Sequence, residues 1–237
     1  MKISLSSTLA AAAGFAVVAA GAADAAIVGN AFVLSTTNGN GTDGIIIPNG
    51  SLVFDPIDNS YSYVSSSPIV LSNGVTVESF DVFYLNTDPT IAMTFLANTS
   101  GLATSFNIST ATVAFAPLTG ESAMSGASAT LTGNNASNAN LLGLFGGSAH
   151  HASFNTGVFH SSVGPINVPN ANGTLTDDTF IGPAVVAGPV TSMFVDWAFQ
   201  VDADDSVSLN SFFTITPAPG SIALLGLGGL VMSRRRR

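Results

Sequence analysis

The sequence predicts an all-β fold, an antiparallel β-sandwich or jelly roll, preceded by an N-terminal signal peptide and followed by a short C-terminal transmembrane helix. Three observations predict it. Apolar and polar residues alternate in short runs between residues 26 and 215, as they do along strands that bury one face. Clusters of Asn, Asp, Gly and Pro divide these runs at a spacing of about ten residues. No long segment of the same region carries the 3.6-residue period of an amphipathic helix.

Residues 27–34 are the first expected strand, closed by Thr36-Thr37-Asn38-Gly39-Asn40-Gly41. Runs at 45–47, 51–55 and 60–64 follow, separated by Pro48-Asn49-Gly50 and Pro56-Ile57-Asp58-Asn59, which are turn residues. Ser72-Asn73-Gly74 sits between runs at 68–71 and 75–85, and Asn-Gly between β-rich segments is a hairpin signal. In 90–97, Ile91, Met93 and Phe95 share a face; in 104–115, Phe106 and Ile108 are followed by Ala111, Val113 and Phe115. That change of parity predicts a bulge or bend near Ser109.

From 118 to 162 the composition shifts to Ala, Gly, Ser and Asn. The pattern there admits strands at 128–131 and 152–159 around a long excursion, or a short helix over 139–145. Short strands return at 166–168, 173–176, 179–181 and 184–187. The most regular run is 190–201, with Met193, Val195, Trp197, Phe199 and Val201 on one face. The turn Asp202-Ala203-Asp204-Asp205 leads to 207–215, where Val207, Leu209, Phe213 and Ile215 are in phase. The chain shows no internal repeat.

The two ends read as addresses. Lys2, the apolar run 9–20 and the small residues Ala23-Asp24-Ala25 form a signal peptide over residues 1–25. A β-sandwich domain over 26–215 is followed by a segment, 216–237, in which Pro217, Ala218, Pro219 and Gly220 precede the apolar stretch 222–232. As a helix that stretch is about 17 Å long, against about 30 Å of hydrocarbon. Arg234, Arg235, Arg236 and Arg237 close the chain; they can snorkel to the headgroups and hold that end on the cytoplasmic side. The segment reads as transient membrane insertion. Proline pair, apolar helix and arginine cluster, in this order, resemble the PEP-CTERM sorting signal of exopolysaccharide-producing Gram-negative bacteria, with Ala218 in place of the usual glutamate. The resemblance covers these last residues alone. It implies export through the inner membrane, cutting near Pro217-Ala218-Pro219 by an exosortase-like enzyme after signal peptidase has acted, and delivery to the cell surface or the medium, where exopolysaccharide is an available partner.

All five basic residues are Lys2 and Arg234 to Arg237, and of the 14 acidic residues only Asp24 precedes the domain. The domain therefore carries carboxylates with no lysine or arginine. This excludes nucleic-acid surfaces and phosphate clamps. There is no cysteine, so the exported domain relies on core packing and not on disulfides.

Candidate chemistry is sparse. Gly39-Asn40-Gly41-Thr42-Asp43-Gly44 spells a dinucleotide fingerprint, but Ile45-Ile46-Ile47-Pro48 follows where a helix should open, so a turn is expected. Gly146-Gly147-Ser148-Ala149-His150 departs from a nucleophile elbow at its last position. His150, His151 and His160 lack a standard metal-ligand spacing and are expected in exposed loops. Asp202, Asp204 and Asp205 offer hard oxygens to a calcium ion, with Asp177 and Asp178 as further donors, although Val207 and Phe213 break any EF-hand pattern. Apart from that calcium site no cofactor is expected. Trp197 and Phe199 are expected in the core. The reading is a non-enzymatic exported protein, structural at the cell surface or in the extracellular matrix. The alternative is a secreted carbohydrate-binding or calcium-dependent adhesion module, which would need a stacking aromatic outside the core.

Overall fold

The computed structural model describes residues 25–216 apart from 119, 136, 170 and 171. The signal peptide and the sorting segment read from the sequence, including Pro217, Ala218, Pro219 and Arg234 to Arg237, lie outside the described residues, save Ala25 and Thr216 at their borders.

Strands β1 (Ala26–Asn38) and β2 (Gly41–Pro48) form a hairpin that turns at Gly39-Asn40. The dinucleotide-like letters are thus a turn and the start of a strand. A 3-10 turn at Asn49–Ser51 leads to β3 (Val53–Asp55), β4 (Ser60–Val64), β5 (Ile69–Val70), β6 (Thr76–Leu85), β7 (Thr90–Asn98), β8 (Thr104–Leu118) and β9 (Ser122–Thr132). The chain continues through β10 (Ala139–Gly143), β11 (His150–Phe154), β12 (Gly157–Ser162), β13 (Ile166–Val168), β14 (Thr174–Val185), β15 (Val190–Val201) and β16 (Ser206–Thr216).

These strands make two antiparallel eight-stranded sheets. The first runs β12-β11-β15-β8-β1-β2, with β10 pairing β15 beyond the end of β11 and β13 pairing β10. The second runs β14-β9-β16-β7-β6-β4-β3, with β5 on β6. Their inner faces meet as a sandwich. Met193, Val195, Trp197, Phe199 and Val201 all point inward and are buried, as are Val207, Leu209, Phe213 and Ile215. Phe106 stacks on Phe199 at 5.0 Å between ring centroids, and Phe95 of the opposite sheet meets Phe106 edge-on at 6.1 Å. Such offset and edge contacts add to the burial of large rings. Both sheets and the core they enclose are built from residues 25–216.

The parity change in β8 is a bulge: Thr110 and Ala111 are both buried, and the register with β15 shifts between Asp196↔Ser109 and Met193↔Val113. Thr110 repairs the ladder there, its hydroxyl accepting from the Val195 N–H at 3.0 Å and donating to the Val195 carbonyl at 3.1 Å. A second bulge interrupts β1 between Val28 and Phe32. Tyr84, reaching across from the other sheet, serves both breaks. Its hydroxyl donates to the Ala31 carbonyl and accepts from the Ala111 N–H at 2.9 Å.

Three expectations need correction. Residues 139–145 do not form a helix: Ala139 and Leu141 alternate with Asn140 and Leu142, and β10 finds partners in β13 and β15. The stretch 152–159 is not one strand, because Asn155 adopts φ +51° and turns the chain from β11 into β12. The three pieces expected over 173–187 are one long strand, β14, paired along β9 with a bulge between Ile181 and Ala184 at Gly182-Pro183. In each case pairing to a neighbour overrides local composition. No helix among the described residues is long and apolar enough to cross a membrane.

Candidate functional site

The outer face of the second sheet carries a groove of about 420 Å³. Register builds it. Phe83 of β6 lies opposite Ala92 of β7, Ala92 opposite Phe212 of β16, Phe212 opposite Gly126 of β9, and Gly126 opposite Phe180 of β14. The row therefore alternates large ring and small residue across five strands. Phe83 and Phe212, two strands apart, stand about 10 Å from each other on the sheet.

The small residues are necessary to the shape. A Cβ built on Gly126 would sit 2.5 Å from Cε1 of Phe212, so the ring lies across the glycine. Phe180, 62% exposed, leans toward the same gap, with its centroid 6.2 Å from that of Phe212. Two rings thus form a shelf, Ala92 forms the low point beside it, and Phe83 forms the far wall.

Beside this aromatic row runs a polar one, displaced by two residues along each strand or roughly 7 Å. It consists of Asp178, Ser128, Asn210, Thr94 and Asp81, again in register. Thr94 Oγ1 lies 3.3 Å from Asp81 Oδ2. The row on the opposite side, Leu85, Thr90, Thr214 and Met124, has no carboxylate or amide. The groove is apolar along its floor and rich in hydrogen-bonding groups along one border.

The sequence did not single out these aromatics, although the signal was present. Phe83 lies between the inward Val82 and Tyr84, and Phe212 precedes the inward Phe213. In a strand the neighbour of a core residue faces outward, so each of these phenylalanines had to be exposed or covered by something else.

The residues singled out from sequence are placed differently. Trp197 and Phe199 are core, as expected, and Trp197 Nε1 donates to Ser211 Oγ at 3.2 Å. The histidines are not in exposed loops. His150 is fully buried, with its ring 4.8 Å from that of Trp197 and 6.1 Å from that of His160, and its Nδ1 is 2.9 Å from Ser162 Oγ. Its Nε2 is buried without a partner. Burial, with His160 and His151 nearby, pushes its pKa down to about 3. His151 faces the other side of the sheet, stacked on Phe145 at 3.9 Å, with burial lowering its pKa and Asp196 opposing. Ser148 sits in the tight turn made by Gly146 and Gly147, both at positive φ; the histidine partner of Ser162 is His150, so no Ser148–His150 pair forms.

The three aspartates of the last turn are spent on different partners. Asp202 Oδ2 accepts from Asn140 Nδ2 at 2.6 Å, Asp204 Oδ1 from the Gly101 N–H at 2.7 Å, and Asp205 Oδ1 from the Asn134 N–H at 3.1 Å. Burial raises the pKa of Asp205, and the charges of Asp202 and Asp204 add to this. Among the described residues no three His, Cys, Asp or Glu side chains are grouped so as to hold a metal ion. These carboxylates tie the β15–β16 turn to neighbouring loops.

No family model and no curated protein matches the chain. Solved structures with some likeness include the enzymatically active domain of bacteriophage CBA120 tailspike protein 4, at 12% identity and a TM-score of 0.30 over 78% of this chain, which spans 19% of that one. TmCBM61 in complex with β-1,4-galactotriose matches at 13% identity and a TM-score of 0.27, over 70% of this chain and 90% of that one. The Stig cyclase Fisc from Fischerella sp. TAU matches at 11% identity and 0.27, over 82% and 89%. Likenesses at these TM-scores carry neither function nor ancestry to this chain.

Proposed function

We propose that the protein is exported and acts outside the cell as a non-enzymatic β-sandwich that holds a polysaccharide in the groove on its second sheet. The observation that carries this reading is the alternation of Phe83, Phe212 and Phe180 with Ala92 and Gly126 on an outward face, bordered on one side by Asp81, Thr94, Asn210, Ser128 and Asp178. A sugar ring has an apolar C–H face and a hydroxyl edge. The first stacks on an aromatic ring, and the second finds donors and acceptors in the polar row. A contiguous apolar patch rimmed by polar groups marks a binding site. Binding of this kind would keep an exported domain in an exopolysaccharide layer, which joins the structural and the carbohydrate-binding readings of the sequence.

Two measurements test the proposal. Affinity electrophoresis against a panel of polysaccharides should find at least one that retards residues 25–216. Phe212→Ala should weaken that binding about tenfold, roughly 1.4 kcal/mol, while the melting temperature stays near that of the wild type because the ring lies outside the core. Retardation that is identical in the variant would place the ligand elsewhere. For export, intact mass of the protein from the native host's medium should show a species beginning near Ala26 and ending between Pro217 and Gly220. A membrane form that keeps Arg234 to Arg237 would instead make the tail a permanent anchor.

A further inference from the structure

We infer that the groove selects an uncharged polysaccharide, laid across the strands from β6 to β14, and that Asp81 and Asp178 reject uronate and sulfate polymers. This rests on the glycan-binding reading and narrows it.

The direction follows from the row. The row runs perpendicular to the strands: Phe83 and Phe212 are rooted on alternate strands about 10 Å apart, and the Phe212 ring is carried over Gly126, away from Phe83. A linear chain along this line can run from the wall at Phe83 across the low point at Ala92 onto the shelf of Phe212 and Phe180. A chain running along the strands would meet one ring only and then leave the groove.

The charge selection follows from what borders that line. Asp81 and Asp178 stand at the two ends of the polar row, with Thr94, Asn210 and Ser128 between them. No cation can offset them, since the sequence has no lysine or arginine between Lys2 and Arg234. A bound polyanion would bring like charges near both carboxylates, within the roughly 10 Å over which even 0.1 M salt leaves repulsion felt. An uncharged glycan can instead donate its hydroxyls to the same oxygens, and hydrogen bonds to an ionised acceptor are the stronger kind. The carboxylates therefore bind one class and exclude the other.

The experiment uses residues 25–216, wild type and the double variant Asp81→Asn/Asp178→Asn, titrated with neutral glucans, galactans and xylans and with alginate and polygalacturonate at low salt. The wild type is expected to bind a neutral polymer at least tenfold more tightly than either polyanion. The double variant is expected to narrow that ratio at least fivefold by losing neutral affinity and gaining polyanion affinity. Polyanion binding as tight as any neutral binding, with or without calcium, would overturn the selection but leave glycan binding in place. Binding of no polymer at all would overturn the glycan reading itself. So would a dimer, detected by sedimentation, that Phe212→Ala dissociates, because the groove would then be covered by a second copy of the chain.

Discussion

Replacing Tyr84 by phenylalanine is expected to lower the unfolding free energy by about 2–4 kcal/mol. Tyr84 is fully buried on the inner face of β6. Its hydroxyl crosses from the second sheet to serve two backbone groups of the first: it donates to the Ala31 carbonyl and accepts from the Ala111 N–H. Both groups belong to bulges, where an extra residue leaves the ladder and its backbone polar atoms lose their cross-strand partner. Burial also pushes the phenol pKa upward, so the group stays protonated and can donate. Phenylalanine would fill the same space while leaving one buried donor and one buried acceptor unsatisfied, each costing about 1–3 kcal/mol. Urea denaturation should show a lower midpoint with an unchanged slope. A midpoint equal to that of the wild type would mean that water reaches both bulges and that Tyr84 is ordinary core.

The same residue shows what the sequence could disclose. The parity change in 104–115 located the β8 bulge near Ser109, because a strand cannot change its buried phase without one. Nothing in the local pattern announced that the bulge would be repaired from the opposite sheet, since the partner lies 27 residues away on another strand. The alternation in 190–201 and 207–215 gave two strands and their inward faces directly. Where Ala, Gly and Ser replace β-branched residues, between 118 and 162, periodicity is too weak to separate strand from helix, and β10 and β11 are strands because β15 offers each of them an edge. The groove was half legible. Phe83 and Phe212 are visibly out of phase with their core neighbours, but that they fall on one line with Phe180 is a matter of register across five strands, which single-chain patterning does not contain. His150 was misplaced for a related reason: the Ser- and Gly-rich composition around it suggested a loop, whereas pairing with Trp197 turns it into the core.

That placement makes the fold sensitive to acid. His150 is held neutral in the native state, with its pKa pushed down to about 3 mainly by burial and secondarily by His160 and His151, against an unfolded value near 6.5. Its folded pKa is depressed, so between pH 6.5 and 3 the unfolded chain binds a proton that the native state refuses. Stability is therefore fully present above about pH 6.5 and falls as pH drops, by roughly 1.4 kcal/mol per pH unit. Between pH 6.5 and 5 the loss from this residue is about 2 kcal/mol. His151 and His160, whose pKa values burial also lowers, add losses of the same sign. Asp43, held low by hydrogen bonds from Ser72 and Gly44, adds another at more acidic pH. Asp196 and Asp205 act in the opposite direction: burial raises both, so the native state takes up their protons first and gains stability as pH falls through the raised values. The histidine term dominates the upper part of the window because it opens well above the carboxylate range. Chemical denaturation at intervals from pH 7.5 to 4.5 should show the wild type losing stability from pH 6.5 downward, and His150→Phe, which keeps a ring against Trp197 and removes the titrating group, should show a markedly flatter profile over pH 6.5 to 5. Parallel profiles for the two proteins would mean that His150 is protonated in the folded state, with its unpartnered Nε2 reached by solvent.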